Sequence, residues 1–173
     1  ASDVYKRQPK LPVIKKLLWI IATSDPFTPN VDRISKDLGI SREYVYNYIE
    51  YLEKAGLIIN VRKAGDGFRS MRKPAKIFMH NTGLIKTLSE KTYENNAGTM
   101  RETFFANQLR AVNEITIPET GDFIVDGKYL FEVGGKNKTA AQIRNIENSF
   151  LALDEIETGF KTTIPLYLFG FLY

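Results

Sequence analysis

Three carboxylates followed by two lysines are the residues of this 173-residue chain best placed to do chemistry. Glu102 falls on a predicted helix, Asp122 opens a predicted strand, and Glu132 ends the next strand, close to Lys136 and Lys138. Clustered carboxylates hold hard cations through oxygen. Each residue also has a plainer role open to it. Glu102 can cap its helix, Asp122 can end a turn, and Glu132 can pair with Lys136 or Lys138.

Other chemistries are excluded more firmly. The chain has no cysteine, which removes disulfides, thiolate metal sites and cysteine nucleophiles. His80 is the single histidine, too few nitrogen ligands for a zinc site. Most triads that use a histidine base go with it, unless His80 itself is the base. No G-x-x-x-x-G-K-[ST] occurs, and Gly134-Gly135-Lys136 lacks both the preceding glycine and the hydroxyl residue of a phosphate-binding loop. No ATP site is expected in this chain.

The elements that must position the carboxylates lie in residues 81–173. Asn81-Thr82-Gly83-Leu84-Ile85 leads into a short helix through Leu88, and a polar stretch follows over 90–98. A strong helix is predicted from near Thr99, with Phe104, Phe105, Leu109 and Val112 as its apolar face. Thr99 and Glu102 have the spacing of a capping box. Residues 114–117, 122–125 and 129–133 read as three strands, with Asp126-Gly127 a two-residue hairpin turn between the last two. Gly134-Gly135 ends the third. A helix over 140–146, a short strand over 150–153 and a buried strand over 164–171 complete the unit. The order α-β-β-β-α-β-β implies a mixed sheet with a helix on each face.

Residues 11–80 form a different pattern. Pro12 sits where a helix can begin, with Val13, Ile14, Leu17, Leu18 and Ile21 at helical spacing. Asn30 is a good N-cap for a second helix carrying Val31, Ile34 and Leu38. Gly39 breaks that helix in a turn that needs positive φ. Ser41 caps a third, striped by Tyr44, Val45, Tyr48, Ile49 and Leu52. Ser35 is small where the helices cross. A strand over 57–61, a turn over 63–67 and a return strand over 75–79 follow. Helix, helix-turn-helix and β-hairpin in this order make a winged helix.

Duplex DNA is one expected partner. The wing carries Arg62, Lys63, Arg69, Arg72, Lys73 and Lys76 against Asp66, a plausible phosphate-contacting loop. The recognition helix offers Arg42 and Lys54 but also Glu43, Glu50 and Glu53. Tyr46 and Asn47 can touch base edges or sit at a protein interface.

The bulk numbers fit a globular protein, with 43% apolar and 25% charged residues and a mild net charge of +4. The longest apolar runs, 17–22 and 164–173, fall short of the roughly 20 residues that span a bilayer. No signal peptide is visible, so no membrane is expected and the cytoplasm is the expected address. Residues 1–10 are set aside from the fold as a non-native or linker segment. The chain begins with Ala1, and the run from Ser2 to Gln8 resembles a translated adapter sequence, so the protein is expected to extend upstream.

Several motifs together resemble a known family. They are Lys73-Pro74-Ala75-Lys76-Ile77-Phe78, Asn81-Thr82-Gly83-Leu84, Gly98-x-x-x-Glu102, Gly121-Asp122-Phe123-Ile124-Val125 and Phe131-Glu132-Val133. In order and spacing they resemble the C-terminal half of prokaryotic AAA-type ATP-binding proteins, and the tail 121–173 resembles members from the Bacteroidetes group. That resemblance implies an α/β (α+β) chain: a winged helix-turn-helix over 11–80, then a small mixed-sheet, restriction-endonuclease-like domain over 81–173 related to PD-(D/E)xK nucleases. The ATPase module is absent here. In such nucleases a helix glutamate and two strand carboxylates hold Mg2+, and a lysine polarises the attacking water. Here the implied metal ligands are Glu102, Asp122 and Glu132, with Lys136 as the catalytic lysine.

Two departures matter. The family has Asp where this chain has Asn81. The nuclease pattern wants Glu-x-Lys, and this chain reads Glu132-Val133-Gly134, so the lysine must come from Lys136 or Lys138. The leading expectation is therefore a non-catalytic region of an AAA-type ATPase, binding DNA or a protein partner and regulating the upstream ATPase domain of the same protein. The alternatives are a Mg2+-dependent nuclease acting on DNA or RNA, and a dimeric winged-helix transcriptional regulator. The DNA contacts expected are Arg42, Tyr46, Asn47, Arg62, Lys63, Arg69, Arg72 and Lys73.

Overall fold

Helix α1 (Lys10–Thr23) carries Pro12 in its first turn, where a missing N–H costs no hydrogen bond. It buries Leu17, Ile21 and Ala22. A computed structural model of the chain describes residues 10–24, 28–65, 74–89 and 93–172. In α2 (Val31–Leu38) the Asn30 side chain accepts the Arg33 N–H at 3.0 Å, as a cap should. Gly39 stops the helix at φ +64°, the left-handed conformation that glycine adopts without a Cβ penalty. The Ser35 hydroxyl donates to the Ile40 carbonyl at 2.5 Å and ties the turn shut.

Ser41 caps α3 (Arg42–Lys54), which buries Val45, Tyr48, Ile49 and Leu52. Tyr44, expected in that stripe, is 47% exposed and leans on the Tyr48 ring at 6.0 Å. A hairpin follows, β1 (Ile58–Lys63) against β2 (Lys76–Met79), antiparallel with Ile59 opposite Phe78. The turn expected between them falls partly outside the described residues.

The hairpin serves two cores at once, because successive strand residues point to opposite faces. Ile58, Ile77 and Met79 pack with Leu17, Ile21, Val45 and Ile49 of the helices. Ile59, Val61 and Phe78 pack instead with Phe105, Phe123 and Phe131. Beyond the hairpin, Asn81 caps α4 (Thr82–Leu88) by accepting the Leu84 N–H at 3.0 Å.

Helix α5 (Tyr93–Arg110) starts six residues before the Thr99 expected from sequence. Packing overrides the polar composition of its first turns, for Asn96 is 4% exposed. Thr99 and Glu102 are therefore interior to the helix, and no capping box forms. Val112, expected on the apolar face, lies past the helix end and is 54% exposed.

Strands β3 (Ile115–Ile117), β4 (Phe123–Val125) and β5 (Tyr129–Gly134) form an antiparallel meander. Asp126 and Gly127 take φ of +51° and +65° at the hairpin, and the Lys128 N–H closes the turn on the Val125 carbonyl. Strand β6 (Ser149–Leu153) then pairs parallel to β5, and β7 (Thr163–Pro165) pairs parallel to β6.

The β5–β6 crossover contains no helix over 140–146. Ala140, Ile143 and Ile146 recur every third residue, and the N–H groups of Ile143 and Ile146 each bond back three residues at 3.0 Å. Successive turns result, with Ile143 buried as the anchor. The strand expected over 164–171 is also shorter. Pro165 ends β7, having no N–H to offer the ladder, and Leu166–Phe171 winds into a 3-10 helix.

All seven strands make one mixed sheet in the order β2-β1-β3-β4-β5-β6-β7. The join is a parallel pairing of β1 with β3, Arg62 opposite Thr116 and Lys63 opposite Ile117. Among the described residues no helix is long and apolar enough to cross a membrane.

Candidate functional site

Residues from four elements meet beside α5. Glu102, in the middle of that helix, is held at 2.5 Å by Lys76, which enters from β2 and lies over the Phe78 ring. Both side chains are largely buried, 15% exposed for Glu102 and 14% for Lys76. The basic wing predicted from sequence includes Lys76; its side chain points inward instead.

Asp122, at the threshold of β4, staples that strand to β5. Its N–H donates to the Phe131 carbonyl at 2.9 Å, and its carboxylate accepts the Val133 N–H at 2.8 Å. Glu132 sits on β5 with its side chain 3% exposed. One oxygen accepts from the Lys138 ammonium at 2.7 Å. The other, Oε2, is buried without a hydrogen-bond partner.

Lys138, not Lys136, is the lysine of this cluster. Lys136 is 60% exposed and stands 4.0 Å from Glu155. The reason lies at Gly134. A Cβ there would stand 2.6 Å from the Lys138 Cβ and 2.7 Å from its Cγ, so the Lys138 stem fills the path a side chain at 134 would follow. Gly135 is constrained similarly, since a Cβ would come within 3.0 Å of the Arg101 guanidinium. Arg101 in turn bridges to Asp154 at 2.9 Å and Glu155 at 2.8 Å, which fixes the far side of the loop.

Electrostatics bind the set together. Burial pushes the Glu102 carboxyl above its ordinary range; Lys76 and Lys138 pull it back down, while Asp122 adds to the rise. Burial alone would lower Lys138, but the Glu132 hydrogen bond and the charges of Asp122, Glu132 and Glu102 outweigh it and raise the ammonium above its ordinary value. All three carboxylates thus act on one ammonium.

The arrangement does not fit a divalent ion. Mg2+ requires oxygen ligands in near-ideal octahedral array, and here lysines stand on Glu102 and Glu132 while Asp122 spends an oxygen on a main-chain N–H. Among the described residues no three carboxylate or histidine side chains converge closely enough to hold a metal ion.

The expected DNA contacts are dispersed. Arg42 is ion-paired to Asp32. Lys54, its companion on α3, pairs with Glu50 at 2.6 Å, and Glu53 takes Arg110 at 3.1 Å. Tyr46 is half-buried beside Arg42 and Pro74 in a groove of about 620 Å3, and Asn47 is half-buried on the same helix. Arg62 is exposed, whereas Lys63 reaches Glu119 at 3.3 Å. Arg69, Arg72 and Lys73 lie outside the described residues. The sequence places Lys76 in the basic wing, because no local pattern distinguishes a wing lysine that turns inward. Lys138 had a signal: the glycine at 134 leaves room for a side chain from elsewhere.

Fold and site together define a mixed α/β chain in which a helix-turn-helix and hairpin adjoin a carboxylate cluster closed by lysines. The chain belongs to a family described as a domain of unknown function, DUF8612, whose model matches residues 2–112. The matched stretch takes in α1 to α5 and the hairpin, and so includes Lys76 and Glu102; Asp122, Glu132 and Lys138 lie beyond it. Neither the curated proteins nor the solved structures give a match.

Proposed function

We propose that this chain is the non-catalytic recognition end of an AAA-type ATPase, engaging a protein partner and coupling it to the ATPase module of the same protein. One observation carries the non-catalytic part. Each glutamate of the nuclease-like set is already neutralised by a lysine of the chain itself, Glu102 by Lys76 and Glu132 by Lys138. Freeing the Glu102 oxygens for a metal would strand the Lys76 ammonium, which is 14% exposed, and breaking a buried pair costs about 3–5 kcal/mol. The chain offers no phosphate-binding loop, so ATP turnover belongs to the other module.

A protein partner is favoured over duplex DNA by the face of α3. Its two cations are occupied by Asp32 and Glu50, while Glu43 is exposed and Tyr44 and Tyr51 are 47% and 54% exposed. A helix with spent cations and exposed tyrosines suits a protein surface better than a polyanion, since aromatic residues are enriched where proteins meet.

The second reading is a metal-dependent nuclease. It is favoured by α5 followed by a three-stranded meander and a parallel β6, an order that gathers Glu102, Asp122 and Glu132 beside an amine. Plasmid nicking separates the two. The purified chain should leave supercoiled plasmid intact in Mg2+ or Mn2+. Metal-dependent nicking that disappears in Asp122→Ala overturns the non-catalytic reading.

A further inference from the structure

We propose that the Lys138 ammonium is the resident cation of the carboxylate centre, so that this chain carries a tethered charge there and takes no divalent ion. The proposal deepens the non-catalytic reading, on which it rests, by saying what fills the centre.

The geometry is specific. Lys138 leaves a solvent-exposed loop with its own side chain 37% exposed, doubles back over Gly134 and hydrogen-bonds Glu132 at 2.7 Å. Its stem runs so close above Gly134 that no Cβ fits beneath it, with contacts of 2.6 and 2.7 Å. The lysine is therefore built into the backbone rather than laid on it. At its tip the charges of Glu132, Asp122 and Glu102 all act on the ammonium.

Charge counting supports the same assignment. Three carboxylates, Glu102, Asp122 and Glu132, face two lysines, Lys76 and Lys138. Lys76 is committed to Glu102 at 2.5 Å. Lys138 is thus the cation in contact with Glu132, whose second oxygen is buried and without a hydrogen-bond partner. Removing the Lys138 charge leaves a carboxylate that is 3% exposed with neither oxygen satisfied by a side-chain cation. A buried charge in that position must find another positive partner or destabilise the fold.

The test uses the full chain and Mn2+ as the probe, with thermal melting in EDTA and in excess Mn2+. The wild type should melt at the same temperature in both. Lys138→Met keeps the stem over Gly134 and removes only the charge; it should melt about 5 °C or more lower in EDTA. Mn2+ should not restore that loss, since no three carboxylates among the described residues converge closely enough to hold an ion. In Lys138→Met/Glu132→Gln the loss should shrink. Gly134→Lys/Lys138→Gly, which returns an amine from the neighbouring tether, should recover wild-type melting and indifference to Mn2+.

Three outcomes overturn the proposal: Glu132-dependent stabilisation of the wild type by Mn2+, unchanged melting of Lys138→Met in EDTA, or a loss in Lys138→Met that Mn2+ repairs. Should Lys138→Met fail to fold, the refolded yield of Lys138→Met/Glu132→Gln beside it separates the same outcomes. Plasmid nicking by the wild type addresses the non-catalytic reading separately, so the two can fail independently.

Discussion

Glu102 and Gly134 show how much of this site is decided by single atoms. The Glu102 carboxyl is raised above its ordinary value of 4.5, chiefly by burial, so the folded chain binds that proton more tightly than the unfolded chain does. Its contribution to stability is full below 4.5 and is lost as pH rises through the higher folded value. Glu102→Gln should therefore flatten the fall in melting temperature across that window, measured as the difference between variant and wild type from about pH 4 to about pH 8. At Gly134 a methyl group collides with the base of the Lys138 side chain, not with its flexible tip. Gly134→Ala should cost about 1–3 kcal/mol in urea unfolding, the range for overpacking a filled site. An Ala at 134 that leaves stability unchanged would mean that Lys138 has another route to Glu132.

Among the elements, the helix-turn-helix was the most legible. Asn30, Gly39 and Ser41 are punctuation with a local mechanism, so caps and turn could be read without knowing any distant contact. Gly39→Ala should cost about 1 kcal/mol, because its φ of +64° is strained for any residue with a Cβ. Thermal or urea unfolding of that variant checks it. The elements misread are those where distant packing decides. Helix α5 begins at Tyr93, with the polar Asn96 buried near its start, and the crossover after β5 forms turns because only Ile143 is buried there. The carboxylates themselves were visible as residue types. Their partners were not: Lys76 reaches Glu102 across 26 positions of chain, a separation no spacing rule spans.

At the scale of the whole molecule, the hairpin joins what sequence separates at residue 80. β1 pairs with β2 on one side and with β3 on the other, and its alternate residues belong to two cores. Phe78 is 2% exposed against Phe123, at 5.5 Å between ring centres, so Phe78→Ala should destabilise the chain by about 3–5 kcal/mol. A cut at residue 80 should leave neither piece with a cooperative melt, since each would lose one wall of its core. Circular dichroism of the two pieces checks this, and two independently folded pieces would contradict it.

A molecule that recognises a protein should hold nucleic acid poorly, whereas a nuclease or a winged-helix regulator must bind it. Affinity for random duplex as a function of salt therefore separates these readings most directly. With the cations of α3 and Lys63, Lys76 and Lys138 held by carboxylates of the chain, the predicted result is weak binding with a log–log salt slope no steeper than about −2. Tight binding at low salt with a slope of roughly −4 or steeper, the mark of several neutralised phosphates, would contradict recognition of a protein.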